Sequence, residues 1–210
     1  MEYFKNSEPT NITEMHTDFR RTMPVKGGGM EINMDIEKMS QERHELLIRL
    51  QDSLREEMIA CETLEPENKE EPEILTVVLD SFGDEEREGG AGEFFFLPMS
   101  SEEDMVQYFC AVLTLADDIP GENLTALFEA MSYINFVLPC GSYCIDKNRS
   151  FLTYKLTVPL PIGLCGDALY EQMNICVSNA VNTADTFSDV LIKIAYGEAT
   201  EDLKELLGAW

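Results

Sequence analysis

Hydrophobic positions recur at helical steps in three long stretches of the chain. Over Ile36–Cys61, Leu47, Leu50, Leu54, Met58 and Cys61 share one face, and charges fill the other. Over Glu122–Leu138, the apolar residues Leu124, Leu127, Phe128, Met131, Ile134 and Leu138 recur at steps of three and four. The third stretch, Gly166–Gly197, carries Leu169, Met173, Cys176, Ala180, Ala184, Phe187, Leu191 and Ile194 on one stripe. Asp167 is placed to cap its start and Gly197 to end it.

Other segments follow the period of a strand. Phe151–Leu160 alternates, with Leu152, Tyr154, Leu156, Val158 and Leu160 on one face and Phe151, Thr153, Lys155 and Thr157 on the other. It reads as one arm of a hairpin whose other arm is Tyr143–Asp146. Ile74–Phe82 and Phe94–Met99 read as a hairpin across the acidic, glycine-rich turn GDEEREGGAGE. The run SSEEDMVQYFCAVLTLADDIP tolerates a helix as well as a strand. Its aromatic and branched residues favour a short helical turn over 101–105 and a strand over 106–116.

The order is thus helix, three strands, helix, two strands, helix. Hairpins separated by helices predict an α+β fold with an antiparallel sheet packed against helices. Residues 1–35 show neither period and read as a flexible lead-in to a domain over 36–197. Leu203, Leu206 and Leu207 predict a short terminal helix within 198–210.

Charge then narrows the partners. Forty acidic residues against 15 basic ones give a formal charge of −25. Phosphate backbones and anionic membrane surfaces repel such a chain, so nucleic acid and membrane partners are not expected. Basic protein segments suit it better. No apolar core with basic flanks opens the sequence, and no run of eighteen apolar residues follows, so neither a leader peptide nor a membrane span is expected. Six cysteines are too dilute for a disulfide framework at this length, which fits a reducing cytoplasm.

Candidate chemistry is sparse. The glycines at 27–29 lack a following Lys-Ser or Lys-Thr, so they make no phosphate loop. His16 and His44 stand far apart, and Cys140 with Cys144 has no second ligand pair, so neither a metal nor another cofactor is expected. A reactive thiol needs a base or a positive field, and an acidic chain offers little of either. Acid pairs such as Asp117–Asp118 and Glu102–Glu103 are too many for any one to be singled out. No catalytic residue is assigned, and the chain is read as a non-enzyme. The alternatives left open are a small-ligand sensor and a thiol-redox protein using Cys140 and Cys144.

The aromatic clusters carry the stronger signal. Phe94–Phe96 and Gln107–Phe109 place apolar residues on both faces of their strands. One face can pack on helices, and the other needs a cover. Phe95, Tyr108, Phe128, Tyr133 and Phe136 are therefore the interface candidates, each with core packing as the competing reading.

The segment INFVLPCGSYCID, the later YKLTVPL and IAYGEAT after the last helical stretch resemble the bacterial sensory-transduction-regulator domain family, over about residues 36–197. Members of that family are similar in fold to type III secretion chaperones. The resemblance implies a small α+β domain, commonly dimeric and without a catalytic centre, whose relatives in fold bind extended segments of partner proteins. The acidic connector EPENKEEPE and the long acidic hairpin loop depart from that compact pattern.

Overall fold

The computed structural model describes residues 36–64, 66, 71–79, 89–98, 105–146 and 151–198. All lie in one compact unit of the chain, Met34–Trp210. The lead-in over 1–35, residues 101–104 of the expected turn over 101–105 and residues 199–210 of the expected terminal helix fall outside the described residues.

Three helices pack on one face of a six-stranded antiparallel sheet, an α+β arrangement. In chain order the elements are α1 (Ile36–Glu56), β1 (Cys61–Leu64), β2 (Ile74–Leu79), β3 (Gly90–Phe96), β4 (Val106–Ala116), a 3-10 turn (Gly121–Asn123), α2 (Leu124–Val137), β5 (Ser142–Asp146), β6 (Phe151–Pro161) and α3 (Gly166–Ala195). The strands lie in the order β1-β2-β3-β4-β6-β5. After β4 the chain crosses through α2 to the outer edge, and β6 returns between β5 and β4.

Alternation decides which side chains enter the core. On β4, Gln107, Phe109, Ala111, Leu113 and Leu115 face the helices and are buried. On β6, Leu152, Tyr154, Leu156 and Leu160 do the same. The 30-residue α3 lays Leu169, Met173, Cys176, Ala180, Ala184 and Leu191 across them, so the third predicted stripe is the core stripe. The ambiguous run after Met105 is a strand, because two hydrogen-bonded neighbours, β3 and β6, fix it in extended form.

Two boundaries differ from the sequence reading, for local reasons. First, α1 stops at Glu56, and Cys61–Leu64 forms an additional edge strand paired with β2. Met58 turns the chain with φ 67°. The amide of Met58 donates to the Arg55 carbonyl and that of Ile59 to the Leu54 carbonyl, which closes a Schellman-type end. A glycine normally marks that position. Here a methionine occupies it, 91% exposed, so no local signal marks the stop, and Met58 and Cys61 do not belong to the helix stripe. Replacing Met58 with Gly should raise stability by about 1 kcal/mol, since a left-handed residue with a Cβ costs roughly that much. Chemical denaturation checks this, and an unchanged or lowered midpoint would refute it.

Second, β3 begins at Gly90, inside the stretch read as a turn. Gly92 faces the core where Leu113 and Phe94 leave little room, a Cβ there meeting Leu113 Cδ2 at 3.1 Å. The glycines therefore serve strand packing as well as turning.

The start of α3 also corrects an expectation. Asp167 does not cap it. Its Oδ1 pairs with Arg49 Nη1 of α1 at 2.7 Å, while the Gly166 amide donates to Glu42 Oε1 of the same helix at 2.7 Å. At its far end α3 closes as expected, with Gly197 at φ 78° and the Glu198 amide donating to the Lys193 carbonyl.

Candidate functional site

The five interface candidates divide between two opposite surfaces. Phe95 and Tyr108 project from the face of the sheet that none of the described helices covers. Phe128, Tyr133 and Phe136 lie on the outer side of α2, on the helix layer. No single surface holds all five.

On the uncovered sheet face, register places the residues in rows. One row runs Leu64, Ile74, Phe95, Cys110, Thr157 across five strands. Leu64 is exposed, Ile74 and Phe95 are half-buried, and Cys110 is buried, its Sγ sharing a hydrogen bond with Thr157 Oγ1 at 3.4 Å. Tyr108, 41% exposed, lies diagonal to Phe95 and opposite Pro159. Phe94 and Phe96 point the other way into the core. The next row is Glu62, Thr76, Glu93, Val112, Lys155, Ser142.

On α2 the inner stripe is Leu127, Ala130, Met131 and Ile134, all buried. The outer side should then be polar. It instead carries Phe128 at 39% exposure, Tyr133 at 58% and Phe136 at 88%, with Val137 beside them. Phe128 and Phe136 lie eight residues and about 80° of rotation apart on this outer side, and Tyr133 and Val137 form a pair four residues apart.

Between these surfaces lies the stretch LPCGSYC. Pro139 and Gly141, φ 69°, turn the chain from α2 into β5. Asn135, near the end of α2, reaches across the turn. Its Nδ2 donates to the Tyr143 carbonyl at 3.0 Å, and its Oδ1 accepts the Tyr143 amide at 2.7 Å. The Tyr143 hydroxyl reaches the Thr183 carbonyl of α3 at 2.8 Å, and the Tyr154 hydroxyl donates to the Cys140 carbonyl at 3.0 Å. The two tyrosine rings meet at 5.1 Å, and Phe187 packs edge-on against Tyr143. The joint thus ties α2, β5, β6 and α3 together. The sequence marked Gly141 but not this tyrosine pair. Its signal was the two rings facing each other across the hairpin.

The sulfurs beside the joint are single thiols. All six cysteines are free, and Cys140 and Cys144 are exposed. Cys144 Sγ shares a hydrogen bond with Thr153 Oγ1, a hydroxyl and not a base. Among the described residues no three His, Cys, Asp or Glu side chains converge to hold a metal. His44 pairs instead with Glu73 at 2.7 Å on the surface. Asp117 and Asp118 lie exposed in the turn after β4, where Asp118 takes φ 47°. Glu102–Glu103 fall outside the described residues. No described helix is long and apolar enough to cross a membrane.

Burial at the joint has a pH consequence. It pushes the Cys176 thiol up from 9.0 to about 12 and the Tyr154 phenol up from 10.0 to about 12, and it raises Tyr143 as well. The folded chain keeps these protons at pH values where the unfolded chain has released them. Their contribution to stability is complete below pH 9 and is lost as pH rises from there toward 12. Melting temperature should fall steadily above pH 9, and Cys176→Ala should flatten the fall over the first unit. An unchanged slope in that variant would show that Cys176 does not contribute.

Among the described residues, two grooves stand out. One, about 830 Å³, lies between α1 and the end of β3, lined by Met39, Arg43, Leu47, Phe96 and Pro98 among others. Arg43 stacks over the Phe96 ring at 5.1 Å and donates through Nε to Gln107 Oε1 at 3.0 Å. Burial lowers its pKa, and its Nη2 finds no hydrogen-bond partner among the described residues. The other, about 320 Å³, lies around Arg49 and Asp167 where α1 meets α3, and the Arg49–Asp167 ion pair already spans it. The chain matches no protein-family model, and no curated protein or solved structure matches it.

Proposed function

We propose that the chain is a non-enzymatic protein-binding domain, chaperone-like or regulatory in role, that takes a partner segment on the outer side of α2. The observation that carries this reading is a helix apolar on both sides. A helix of that kind is ordinarily buried all round, and α2 is buried on one side only. Its outer aromatics are large, stiff and partly amphipathic, the residue types that anchor interfaces. Phe128, Tyr133, Phe136 and Val137 spread along about 13 Å of the helix, enough to seat a helical or extended segment. A chain of charge −25 favours a basic segment at the rim of such a contact. The resemblance to the sensory-transduction-regulator family, and through it to chaperones of type III secretion, supports the same reading.

Phe136→Asp tests it. The side chain is 88% exposed, so thermal stability should stay within about 0.5 kcal/mol of wild type. Binding of a fluorescent, basic amphipathic peptide should weaken about tenfold or more. Matched captures from cells with wild type and variant should differ in a small, reproducible set of proteins. Equal peptide binding by both chains and identical captures would count against the reading. A large loss of stability would place Phe136 in the core.

A further inference from the structure

The sheet face that no described helix covers is a separate matter from α2, on the opposite side of the domain. The strand at its centre, β4, presents Val106, Tyr108, Cys110, Val112 and Thr114 there and no charge. Over the six strands this face carries Glu62, Glu93, Asp146 and Lys155, three acids and one base, in a chain of formal charge −25. The rest of it is mostly Leu, Ile, Phe, Tyr, Val, Thr and Pro.

The placement of the charges is more informative than their number. Glu93 on β3 and Lys155 on β6 stand in the same row, each directly beside Val112 of the central strand β4. Both side chains are exposed, and neither makes an ion pair among the described residues. They lie two strands apart, about 9.6 Å at the usual strand spacing. They are therefore equidistant from β4, with opposite charge.

We infer that this face closes on a second copy of the chain, about a two-fold axis running along β4. Such an axis carries β3 of one copy over β6 of the other and leaves β4 over β4. Glu93 then meets Lys155 of the second copy, and Lys155 meets Glu93 of the second copy. Both ion pairs form at once, as a two-fold contact requires. Two sheets packed face to face stand about 10 Å apart, a gap that a glutamate and a lysine together span. The usual rotation of about 30° between packed sheets moves residues this close to the axis by only a few ångströms. Val112 and Tyr108 fall on the axis against their own copies, and Ser142 falls against Thr76. The six strands and their rows offer about 700 Å² per copy at standard spacings, near the roughly 800 Å² of a stable interface.

This inference goes beyond partner capture on α2 and does not depend on it. The experiment is a charge exchange in the full chain, read by analytical ultracentrifugation. Wild type should sediment as a dimer. Glu93→Lys and Lys155→Glu should each sediment as monomers, because each puts two like-charged pairs into the contact and weakens self-association on the order of a hundredfold. An equimolar mixture of the two variants should recover the dimer. One chain then offers lysines at both positions, the other offers glutamates, and both pairs are opposite in sign again.

A monomeric wild type would overturn the inference, as would single variants that remain dimeric, or a mixture that stays monomeric while both variants keep the wild-type melting temperature. If one variant unfolds, Glu93→Gln and Lys155→Gln replace it, and the expected loss of self-association is smaller but of the same sign. Phe136→Asp should leave the dimer intact, so failure here and failure of the α2 reading are separately visible.

Discussion

Gly141→Ala should lower the stability of the domain by about 2–5 kcal/mol. Two costs combine. The residue holds φ 69°, where a side chain costs about 1–2 kcal/mol. The new Cβ would also strike the Tyr154 ring and hydroxyl, which are fixed by burial and by the bond to the Cys140 carbonyl. Forcing atoms into a packed core costs roughly 1–3 kcal/mol more. The ring has no easy retreat, because Tyr143 packs against it and is itself held by Asn135 and α3. Gly163→Ala supplies the contrast, since nothing lies within 4 Å of a Cβ there. Chemical denaturation of both variants checks the pair. Equal, small losses would show that the joint tolerates a side chain and that Gly141 is there for another reason.

That joint also shows what a linear sequence can reveal. The helix stop at Pro139, the turn at Gly141 and the strand from Tyr143 were all legible, because proline, glycine and alternation act locally. So were the stripe of α3 and the two faces of β6, where periodicity is long and regular. The missed strand, β1, has four residues, two of them polar, and follows a helix end built on Met58 in place of glycine. Neither signal was present to be read. The start of α3 failed differently. Asp167 has the right chemistry for a cap, yet Glu42 from α1 takes the amide and Arg49 takes the aspartate. Those partners lie more than a hundred residues away in sequence. The same limit separated the interface candidates. The aromatic clusters correctly signalled apolar residues on both strand faces. Which face the helices would cover depends on how the crossovers run, so the split between Phe95 with Tyr108 and the α2 aromatics needed the three-dimensional arrangement. The Glu93–Val112–Lys155 row needed the register of three strands, which no local pattern contains.

Tyr108 and Phe109 are adjacent in sequence, and their truncation should have opposite consequences. Phe109→Ala should cost about 3–5 kcal/mol, the usual range for emptying a phenylalanine site in a core. Phe109 is fully buried, and its ring lies 5.0 Å from that of Phe96. Phe96 in turn supports the Arg43 guanidinium at 5.1 Å. Loosening Phe96 would disturb a buried cation, one of whose nitrogens finds no hydrogen-bond partner among the described residues. The loss should therefore fall in the upper part of that range, and Arg43→Met in the same background should recover part of it, because a flexible apolar chain can fill the space without a charge to desolvate. Tyr108→Ala removes a ring from the other face of the same strand, where the described part of the domain places no helix. Its denaturation midpoint should stay close to wild type, while self-association weakens. If instead Tyr108→Ala unfolds the domain as Phe109→Ala does, the sheet face is covered from within the chain, and the two-fold contact has no surface on which to form.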